Sequence, residues 1–567
     1  MRYNGAEIII KSIERQGINI VAGIPGGANL PLYNALYKSS IRHVLARHEQ
    51  GAGFIAQGMA RSTGKPAVCF ATSGPGATNL LTAIADAKLD SIPLIAITGQ
   101  VATTMIGTDA FQEIDIYSMT LPITKHNFLV KNAGELLTIM PEAFRLASSG
   151  RQGPVLVDVP KDIQTEEVEF DYWPETHKKK DYQPVDIPAV REAARMINRS
   201  KRPVIYAGGG IMNAQAHGDM YEFAKKNTIP SALTLMGLGC FPPDDDLYLG
   251  MLGMHGTYST NIILDKADLL LVLGARFDDR AIGKAKEFCP HASIIHIDID
   301  EAEINKIRKA DLSINGNLGM ILRTMMPFIE ENNRKEWMSY IIELKDIYPA
   351  IQPEINDALH PVNIIKAIHT LAPPDTIITT DVGQHQMWVA QAYPFGSPRT
   401  FLTSGGLGTM GFGLPAAIGA ALANPGRRVI CISGDGSFQM NIQEMATLSE
   451  LNIPVTVIIL NNGHLGLVRQ QQELFYEKNY IASKFTCKPD FSAIAREFGI
   501  RGYRICEAPA LRAGLARALA YPGPSVMDIC IHETENVLPM VPPGAANRYM
   551  IGGEIEEHIA VKQKPAC

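Results

Sequence analysis

The stretch RRVICISGDGSFQMNIQEMATLSELNIPVTVIILNNGH, residues 427–464, decides the fold class. It consists of an apolar run, a Gly-Asp-Gly turn, an amphipathic segment, a second apolar run and an Asn-Asn turn. Two apolar runs joined by a helix predict neighbouring parallel strands, because the crossover returns the chain to the same edge of the sheet. The carboxyl ends of both strands then lie together, and we expect Asp435 and Asn462 to converge there.

These two turns predict a site for Mg²⁺ and a diphosphate group. Asp435 offers a carboxylate and Asn462 an amide oxygen, both hard ligands of the kind that Mg²⁺ prefers. Gly434 and Gly436 allow backbone N–H groups to approach phosphate oxygens, and the following helix adds its positive end. A Gly-Asp-Gly turn alone is typical of many strand-to-helix connections, whereas its pairing with Asn-Asn after one crossover is far more specific.

Composition indicates a globular chain with several cores. The 567 residues exceed one ordinary domain, and 46% of them are hydrophobic. A formal charge of −6 provides no field to hold a nucleic acid. Eight cysteines are scattered without a CxxC pair, so we expect neither a disulfide framework nor a zinc site, and a reducing cytoplasm fits best. No apolar run approaches about 18 residues, and we expect no membrane span and no export.

Apolar runs alternate with glycine turns and amphipathic stretches in three regions of the chain. This rhythm predicts three doubly wound α/β domains with mostly parallel sheets. Prolines and mixed charges interrupt it twice, as linkers do. The predicted organisation is an N-terminal domain 1–165, a linker 166–186, a central domain 187–330, a linker 331–360, a C-terminal domain 361–535 and a tail 536–567.

Gly-Asp-Gly followed by Asn-Asn resembles the thiamine-diphosphate-binding motif of the pyruvate decarboxylase and acetolactate synthase superfamily. The resemblance implies that the three domains are pyrimidine-binding, flavin-type and diphosphate-binding, in that order. It implies Asp435 and Asn462 as side-chain Mg²⁺ ligands and the backbone carbonyl of His464 as a third. The implied cofactor contacts in the C-terminal domain are Val382, Gly383, Gln384, His385, Gly408, Met410, Gly434, Gly436, Ser437 and Gly466. Outside this context, Met410 would be read as a core methionine.

Glu49, in LARHEQGAGFIAQGMAR, ends a strand and begins a helix where the family places its proton-relay glutamate. A carboxyl group in a dry pocket has a raised proton affinity, which suits a hydrogen bond to the cofactor's pyrimidine. Taken alone, such a glutamate is usually a surface residue at a helix start. Gly27 and Gln100 match positions that the family directs at substrate and cofactor. Because the family's site lies between two subunits, the resemblance implies a homodimer or homotetramer.

Three further stretches resemble acetolactate synthase itself: GTDAFQE at 107–113, MLGMHG and GARFDDR within 251–280, and PMVPPGAAN at 539–547. The implied activity is decarboxylation of pyruvate and transfer of the two-carbon unit to a second 2-keto acid in branched-chain amino-acid biosynthesis. A small regulatory subunit is implied as a partner. Phe111, Arg280 and Gln471 match substrate positions, and a guanidinium suits a carboxylate. A surface salt bridge is the alternative for Arg280, and a core or surface position is the alternative for Gln471.

The resemblance also implies FAD, which is structural in the anabolic enzymes. The implied contacts are Arg151, Gly208, Gly209, Gly210, His255, Gly274, Arg276, Asp298 and Asn317. A Gly-Gly-Gly turn after a strand is weak evidence by itself. Asn317 stands where the family commonly has Asp, and this puts that contact in doubt.

Three departures from the family pattern bear on the substrate site. Ile24 replaces a frequent Tyr, Leu467 a frequent Met, and Gln471 a frequent Trp that favours 2-ketobutyrate as acceptor. We therefore expect 2-acetolactate as the main product. The competing hypotheses are a flavin-dependent pyruvate oxidase, a flavin-free catabolic acetolactate synthase and a non-catalytic flavin-binding scaffold. The intact Glu49, Asp435 and Asn462 disfavour the scaffold.

Overall fold

The computed structural model describes residues 1–175, 184–349, 353–354 and 357–552. It contains three six-stranded sheets, and the strands of each are parallel throughout. The predicted class of three doubly wound α/β domains is therefore confirmed. Central strands of such sheets are covered on both faces, which is why continuous apolar runs form them. No helix in the described part of the chain is both long and apolar enough to cross a membrane.

The N-terminal domain has a parallel sheet with two small antiparallel strands beside it. Its strands are β1 (Arg2–Asn4), β2 (Ile20–Gly23), β3 (Arg42–Leu45), β4 (Ala67–Ala71), β5 (Leu94–Gln100), β6 (His126–Leu129), β7 (Val155–Pro160) and β8 (Glu167–Glu169). Its helices are α1 (Gly5–Arg15), α2 (Leu30–Tyr37), α3 (Glu49–Thr63), α4 (Pro75–Asn79), α5 (Leu81–Leu89), α6 (Ile116–Thr120), α7 (Leu136–Ser148) and α8 (Lys161–Thr165). The sheet order is β3-β2-β4-β5-β7-β6, while β1 pairs with β8.

The central domain has the sheet order β11-β10-β9-β12-β13-β14. These strands are β9 (Pro203–Ala207), β10 (Ser231–Leu233), β11 (Tyr248–Met251), β12 (Leu269–Leu273), β13 (Ser293–Asp298) and β14 (Leu312–Asn315). Its helices are α9 (Ile187–Arg199), α10 (Gly210–Ala214), α11 (His217–Asn227), α12 (Tyr258–Lys266), α13 (Asp279–Ile282), α14 (Leu318–Met325) and α15 (Lys335–Ile347). The strand order reverses between β9 and β12, as it does in dinucleotide-binding folds.

The C-terminal domain repeats the strand order of the N-terminal sheet. Its strands are β15 (Ile377–Thr380), β16 (Phe401–Leu402), β17 (Val429–Gly434), β18 (Val455–Asn461), β19 (Arg501–Ile505) and β20 (Ser525–Cys530), in the order β16-β15-β17-β18-β20-β19. Its helices are α16 (Pro361–Leu371), α17 (Gln384–Ala392), α18 (Gly413–Ala423), α19 (Asp435–Phe438), α20 (Glu444–Leu451), α21 (Gly466–Phe475), α22 (Phe491–Glu497) and α23 (Leu511–Ala520). The order reverses between β15 and β17, at the edge that carries the Gly-Asp-Gly turn.

Both segments expected as linkers contain elements that pack onto a domain. Strand β8 lies within 166–186 and pairs with β1. Helix α15 lies within 331–360 and buries Trp337, Ile341 and Leu344 against the central domain. Parts of these segments and of the tail 536–567 lie outside the described residues. These parts are 176–183, 350–352, 355–356 and 553–567.

The structure contains a disulfide bond that the sequence analysis did not predict. Cys506 and Cys530 are bonded, with their Cα atoms 4.8 Å apart. Cys506 directly follows β19 and Cys530 ends β20, and these strands pair in parallel. The scattered cysteines predicted no disulfide framework and did not indicate this single bond, because strand pairing brings together two cysteines that are 24 positions apart in sequence.

Helices α3 and α18 join the N-terminal and C-terminal domains at very short range. A Cβ atom on Gly58 of α3 would overlap the carbonyl oxygen of Ala416, and one on Gly419 of α18 would overlap that of Ile55. The apolar residues around this contact form one buried cluster shared by both domains. The two backbones can approach so closely only because both positions are glycine.

Gly419→Ala should weaken this junction. The added methyl has no space, and such overpacking typically costs about 1–3 kcal/mol. We expect thermal unfolding at a Tm lower by several degrees. Gly218→Ala is the matched control, because a Cβ there meets nothing within 4 Å. An equal Tm for the two variants would contradict the role of Gly419.

Candidate active site

The Gly-Asp-Gly and Asn-Asn turns meet at the carboxyl edge of the C-terminal sheet. Gly434 of β17 pairs with Leu460 of β18, and the Asn-Asn turn follows. Asp435 is 4% exposed and Asn462 is 6% exposed. Burial raises the pKa of the Asp435 carboxyl to about 7, while backbone N–H groups, including those of Gly436 and Gly463, oppose the shift. A nearby cation would favour the charged form of this buried carboxylate and lower its pKa again.

The amide of Asn462 is oriented by its neighbours. Its Nδ2 donates to Oε1 of Gln384 at 3.1 Å, and its Oδ1 accepts the backbone N–H of His464 at 3.0 Å. Gln384 is itself fixed, because its Nε2 donates to Oε1 of Gln470 at 3.0 Å. This arrangement leaves the second lone pair of the Asn462 oxygen as a possible metal ligand. The Gln384 amide thus links Asn462 to Gln470 of helix α21.

A cavity of about 70 Å³ lies at this edge of the sheet. Its size suits an ion and a phosphate group. The predicted residues that line it are Val382, Gly383, Gln384, His385, Met410, Gly434, Asp435, Gly436, Ser437, Asn462, His464 and Gly466. Ser437 donates its hydroxyl to the carbonyl of Val382 at 2.7 Å.

His385 lines this cavity and has a ring nitrogen without a hydrogen-bond partner in the described part of the chain. Burial lowers the pKa of its imidazole to about 3, so the ring is neutral at physiological pH. Its buried Nε2 has no hydrogen-bond partner among the described residues. Buried polar atoms are normally paired, and the unpaired Nε2 of this cavity-lining histidine therefore fits a site that receives a polar ligand.

A second cavity of about 1330 Å³ lies among all three domains. It is larger than most small-molecule pockets, which span about 300–1,000 Å³. It opens at the strand reversal between β9 and β12, where ligands bind in such sheets. The predicted residues that line it are Arg151, Gly208, Gly209, Gly210, His255, Gly274, Arg276, Arg280, Asp298, Asn317, Gly408 and Gln471. Gly408, a predicted contact of thiamine diphosphate, lines this larger cavity.

The lining of this cavity fits an extended nucleotide. Gly210 donates its N–H to the carbonyl of Gly274 at 2.9 Å, so two glycine turns meet without side chains between them. His255 lines the cavity with a buried Nδ1 that has no partner among the described residues. Burial lowers the pKa of His255 to about 4 and raises that of Asp298 to about 6. Both groups remain available as hydrogen-bonding partners for a ligand.

Two of the predicted flavin contacts already have protein partners. The Arg151 guanidinium contacts Asp300 at 3.0 Å and Glu303 at 2.7 Å. The Asn317 side chain accepts the backbone N–H of Met320 at 3.0 Å and caps α14. At this position Asn therefore performs a capping role that Asp could also perform.

Glu49 is the first residue of α3 and is 9% exposed. Asn79 donates its amide to Glu49 Oε2 at 2.9 Å, which fixes the carboxyl group. A Cβ on Gly27 would meet nothing within 4 Å, so open space adjoins that turn. The side-chain amide of Gln100 already has protein partners, because its Nε2 donates to the carbonyl of Ile114 at 2.8 Å and to Asp158 at 3.2 Å.

A single chain does not unite all the predicted site residues. Glu49, Gly27, Gln100 and Phe111 line neither of the two cavities described above. Phe111 is 89% exposed. Within one chain, these four predicted residues of the N-terminal domain therefore do not share a cavity with the predicted residues of the C-terminal domain.

Asp381 is a site residue that the sequence reasoning missed. It is 1% exposed and accepts the N–H groups of Val382 at 3.1 Å and Gly411 at 2.7 Å. It thereby ties the turn after β15 to the loop that carries Met410. Burial raises its pKa to about 6. Its position directly after an apolar strand was the signal that could have identified it.

Three family models match the chain. The thiamine pyrophosphate enzyme N-terminal TPP binding domain matches residues 3–119, the central domain matches 190–325, and the C-terminal TPP binding domain matches 381–529. The acetolactate synthase isozyme 1 large subunit of Escherichia coli (strain K12) is 55% identical over 552 residues, which cover 97% of this chain and 98% of the relative. The chain belongs to the acetolactate synthase large-subunit family.

Other acetolactate synthases are also similar to this chain over most of its length. The isozyme 2 large subunit of Escherichia coli (strain K12) is 47% identical over 97% of this chain and 99% of its own length. The chloroplastic acetolactate synthase of Arabidopsis thaliana is 46% identical over 95% of this chain and 83% of its own. The predicted acetolactate synthase family, enzyme class and thiamine diphosphate cofactor are thereby confirmed.

Gly466→Ala should weaken cofactor binding in this acetolactate synthase. A Cβ on Gly466 would overlap Gln384 Oε1 and lie 2.7 Å from Asn462 Nδ2, so it would break the bond that orients Asn462. Loss of such supporting contacts typically lowers metal-site affinity about 10- to 100-fold. Calorimetric titration with thiamine diphosphate at fixed Mg²⁺ measures the change in Kd. A Kd equal to that of the Gly218→Ala control would contradict this account.

Proposed function

We propose that this chain is the catalytic subunit that decarboxylates pyruvate and transfers the two-carbon unit to a second 2-keto acid. The acceptor is mainly pyruvate, and the product is 2-acetolactate, an intermediate of branched-chain amino-acid biosynthesis. One observation carries the proposal. Leu467 lines both cavities, so the expected reaction centre at Asp435 and Asn462 adjoins the cavity that contains Arg280 and Gln471.

Asp435, Asn462 and the carbonyl of His464 are the proposed Mg²⁺ ligands. A buried carboxylate with a pKa of about 7 is stabilised in its charged form by a cation. Cation affinity should fall as pH drops below about 7, because protons then compete for Asp435. Residues of the small cavity would hold thiamine diphosphate, which would supply the chemistry for decarboxylation of pyruvate and two-carbon transfer. Glu49 would hold the proton that the pyrimidine ring of this cofactor requires.

Arg280 is the proposed anchor for the acceptor's carboxylate. Its side chain is 63% exposed at the large cavity, and its nearest carboxylate, Asp279, lies 3.7 Å away. An exposed pair at that distance is weak, so the guanidinium retains donors for a substrate. Gln471 lines the same cavity and is the proposed wall beside the acceptor's alkyl group.

The separation of Glu49 from Asp435 supports a homodimer or homotetramer in which a second copy completes each site. Exposed apolar side chains accompany both halves. On the N-terminal side they are Met105, Ile106, Phe111, Met119 and Leu121; on the C-terminal side they are Met440, Val468, Tyr476, Tyr480 and Ile481. Exposed apolar surface of this kind is typical of interfaces.

FAD is the proposed occupant of the large cavity, with Arg276, Asp298 and the glycine turns around Gly208 and Gly274 as its supports. The proposed reaction involves no net oxidation, so the flavin would stabilise the site and remain chemically idle. The relatives' designation as large subunits supports a small regulatory subunit as a partner. A cytoplasmic location is part of the proposal; four buried free thiols, Cys69, Cys240, Cys289 and Cys431, accord with it, whereas the bond between Cys506 and Cys530 is uncommon there.

Product analysis tests the proposal. Purified protein incubated with pyruvate, thiamine diphosphate, Mg²⁺ and FAD should convert two pyruvates into one acetolactate and one CO₂, so these products should form in a 1:1 ratio. Asp435→Ala should show no saturable response to Mg²⁺, whereas Glu533→Gln, an exposed carboxylate paired with Lys484 and Lys488, should respond like the parent.

Three results would redirect the assignment. Peroxide in place of acetolactate would identify a pyruvate oxidase, and full activity of flavin-free protein would identify a catabolic type. A redox-inert flavin analogue should restore the apoenzyme as well as FAD does. Absence of any product would favour the non-catalytic scaffold.

Gln471→Trp should shift acceptor choice toward 2-ketobutyrate. A broad apolar wall would contact the extra methylene, whose full burial is worth about 0.8 kcal/mol, and pockets discriminate such groups by about 1–3 kcal/mol. The ratio of acetohydroxybutyrate to acetolactate should therefore rise about tenfold in a competition assay. Gln472→Trp is the control, since Gln472 lines neither of the two cavities and bonds to the carbonyl of Ile481. An unchanged ratio in Gln471→Trp that still decarboxylates pyruvate would exclude this role.

A further inference from the structure

Glu444, the first residue of α20, has no role in the chemistry described so far and is completely buried. Its Oε1 accepts the backbone N–H of Arg47 at 2.9 Å and that of His48 at 3.1 Å. These two residues immediately precede Glu49. A carboxylate of the C-terminal domain thus holds the backbone from which the N-terminal domain's relay glutamate projects.

Other side chains extend this contact. The Thr447 hydroxyl lies 2.7 Å from Glu444 Oε2 and 3.2 Å from the carbonyl oxygen of Leu45, the last residue of β3. Asn441 donates to Gln50 Oε1 at 3.2 Å and to the carbonyl of Gly411 at 2.7 Å. The chain is therefore held on both sides of Glu49, from the end of the strand to the first turn of α3.

Gly51 shows how closely the carboxylate fits. A Cβ atom at this position would overlap Glu444 Oε1. The glutamate therefore occupies the space that a side chain of α3 would need, and it lies at the positive end of a 15-residue helix. Bonds from N–H groups to a carboxylate are roughly twice as strong as neutral ones. Burial raises the pKa of Glu444, and the N–H groups of Arg47 and His48 oppose that shift.

We propose that Glu444 is a positioning residue that fixes Glu49 for its contact with the cofactor's pyrimidine. This inference rests on the proposed function, in which Glu49 activates thiamine diphosphate. Glu49 itself receives one side-chain bond, from Asn79. The placement of its backbone depends on Glu444. A displacement of about 1 Å in such a group can lower a rate about 100-fold.

A double-mutant cycle separates positioning from general support of the fold. The measured quantity is the rate of deuterium exchange at C2 of bound thiamine diphosphate at saturating Mg²⁺. Glu49→Gln should slow this exchange by about 10²–10⁴. Glu444→Ala should slow it about 10- to 100-fold. In the Glu49→Gln background, adding Glu444→Ala should change the rate by less than about twofold, because the two residues act as one unit.

Glu450→Gln is the matched control. Glu450 lies on the same helix and pairs with the Arg47 side chain, but its own side chain is 57% exposed. Its replacement should leave the exchange rate within about twofold of the parent. An independent readout uses the protein without cofactor: amide hydrogen exchange around Arg47 and His48 should accelerate in Glu444→Ala and stay unchanged in Glu450→Gln.

The outcomes are distinguishable. Equal slowing by Glu444→Ala in the parent and in the Glu49→Gln background, or no slowing at all, would overturn the inference while the proposed function stands. No slowing by Glu49→Gln itself would overturn the relay, and the inference with it. If Glu444→Ala is not recovered folded, Thr447→Val carries the same cycle, with a smaller expected slowing of about three- to tenfold.

Discussion

The close approach of α3 and α18 is the constraint on which the rest of the molecule depends. Gly58 and Gly419 let the two backbones touch, and the apolar cluster around them belongs to both terminal domains. Near the end of α3, Arg61 pairs with Asp86 at 2.7 Å and Asp90 at 2.9 Å, all buried. These three residues belong to the N-terminal domain, so the ion pairs hold α3 against the end of α5, and removal of one partner would leave a buried charge unpaired. The junction therefore gives the two domains one relative position.

Residues near that junction also hold the loop 403–410, which contributes to the lining of both cavities. Arg61 donates to the carbonyl of Thr403 at 2.9 Å, and Asp90 accepts the N–H groups of Gly405 at 3.0 Å and Gly406 at 2.7 Å. Residues 404–408 contribute to the lining of the large cavity, and Met410 lines the small one. The N-terminal domain thus positions cofactor-site elements of its own chain, although its own Glu49 lines neither of the two cavities.

In each of the three sheets, predicted site residues lie where the strand order reverses. Gly27 follows β2, Gly208 follows β9 and Val382 follows β15, and the order reverses beside each of these strands. At such points adjacent loops diverge and leave a crevice. Carboxyl groups there are buried, and the pKa values of Asp381 and Asp435 are raised to about 6 and about 7. Burial of this kind reduces stability and is typical of functional sites.

The sequence by itself determined the three parallel sheets, because continuous apolar runs ending in glycine or polar turns admit few other folds. It also determined the convergence of Asp435 with Asn462, since one crossover links their strands. Only the tertiary structure decided the partners of distant residues: the Gln384 amide that orients Asn462, the carboxylates that pair with Arg151, and Glu444 beneath α3. These contacts join residues up to 397 positions apart, and no local pattern encodes such a distance. The bond between Cys506 and Cys530 likewise depends on the pairing of β19 with β20, which side-chain periodicity leaves open.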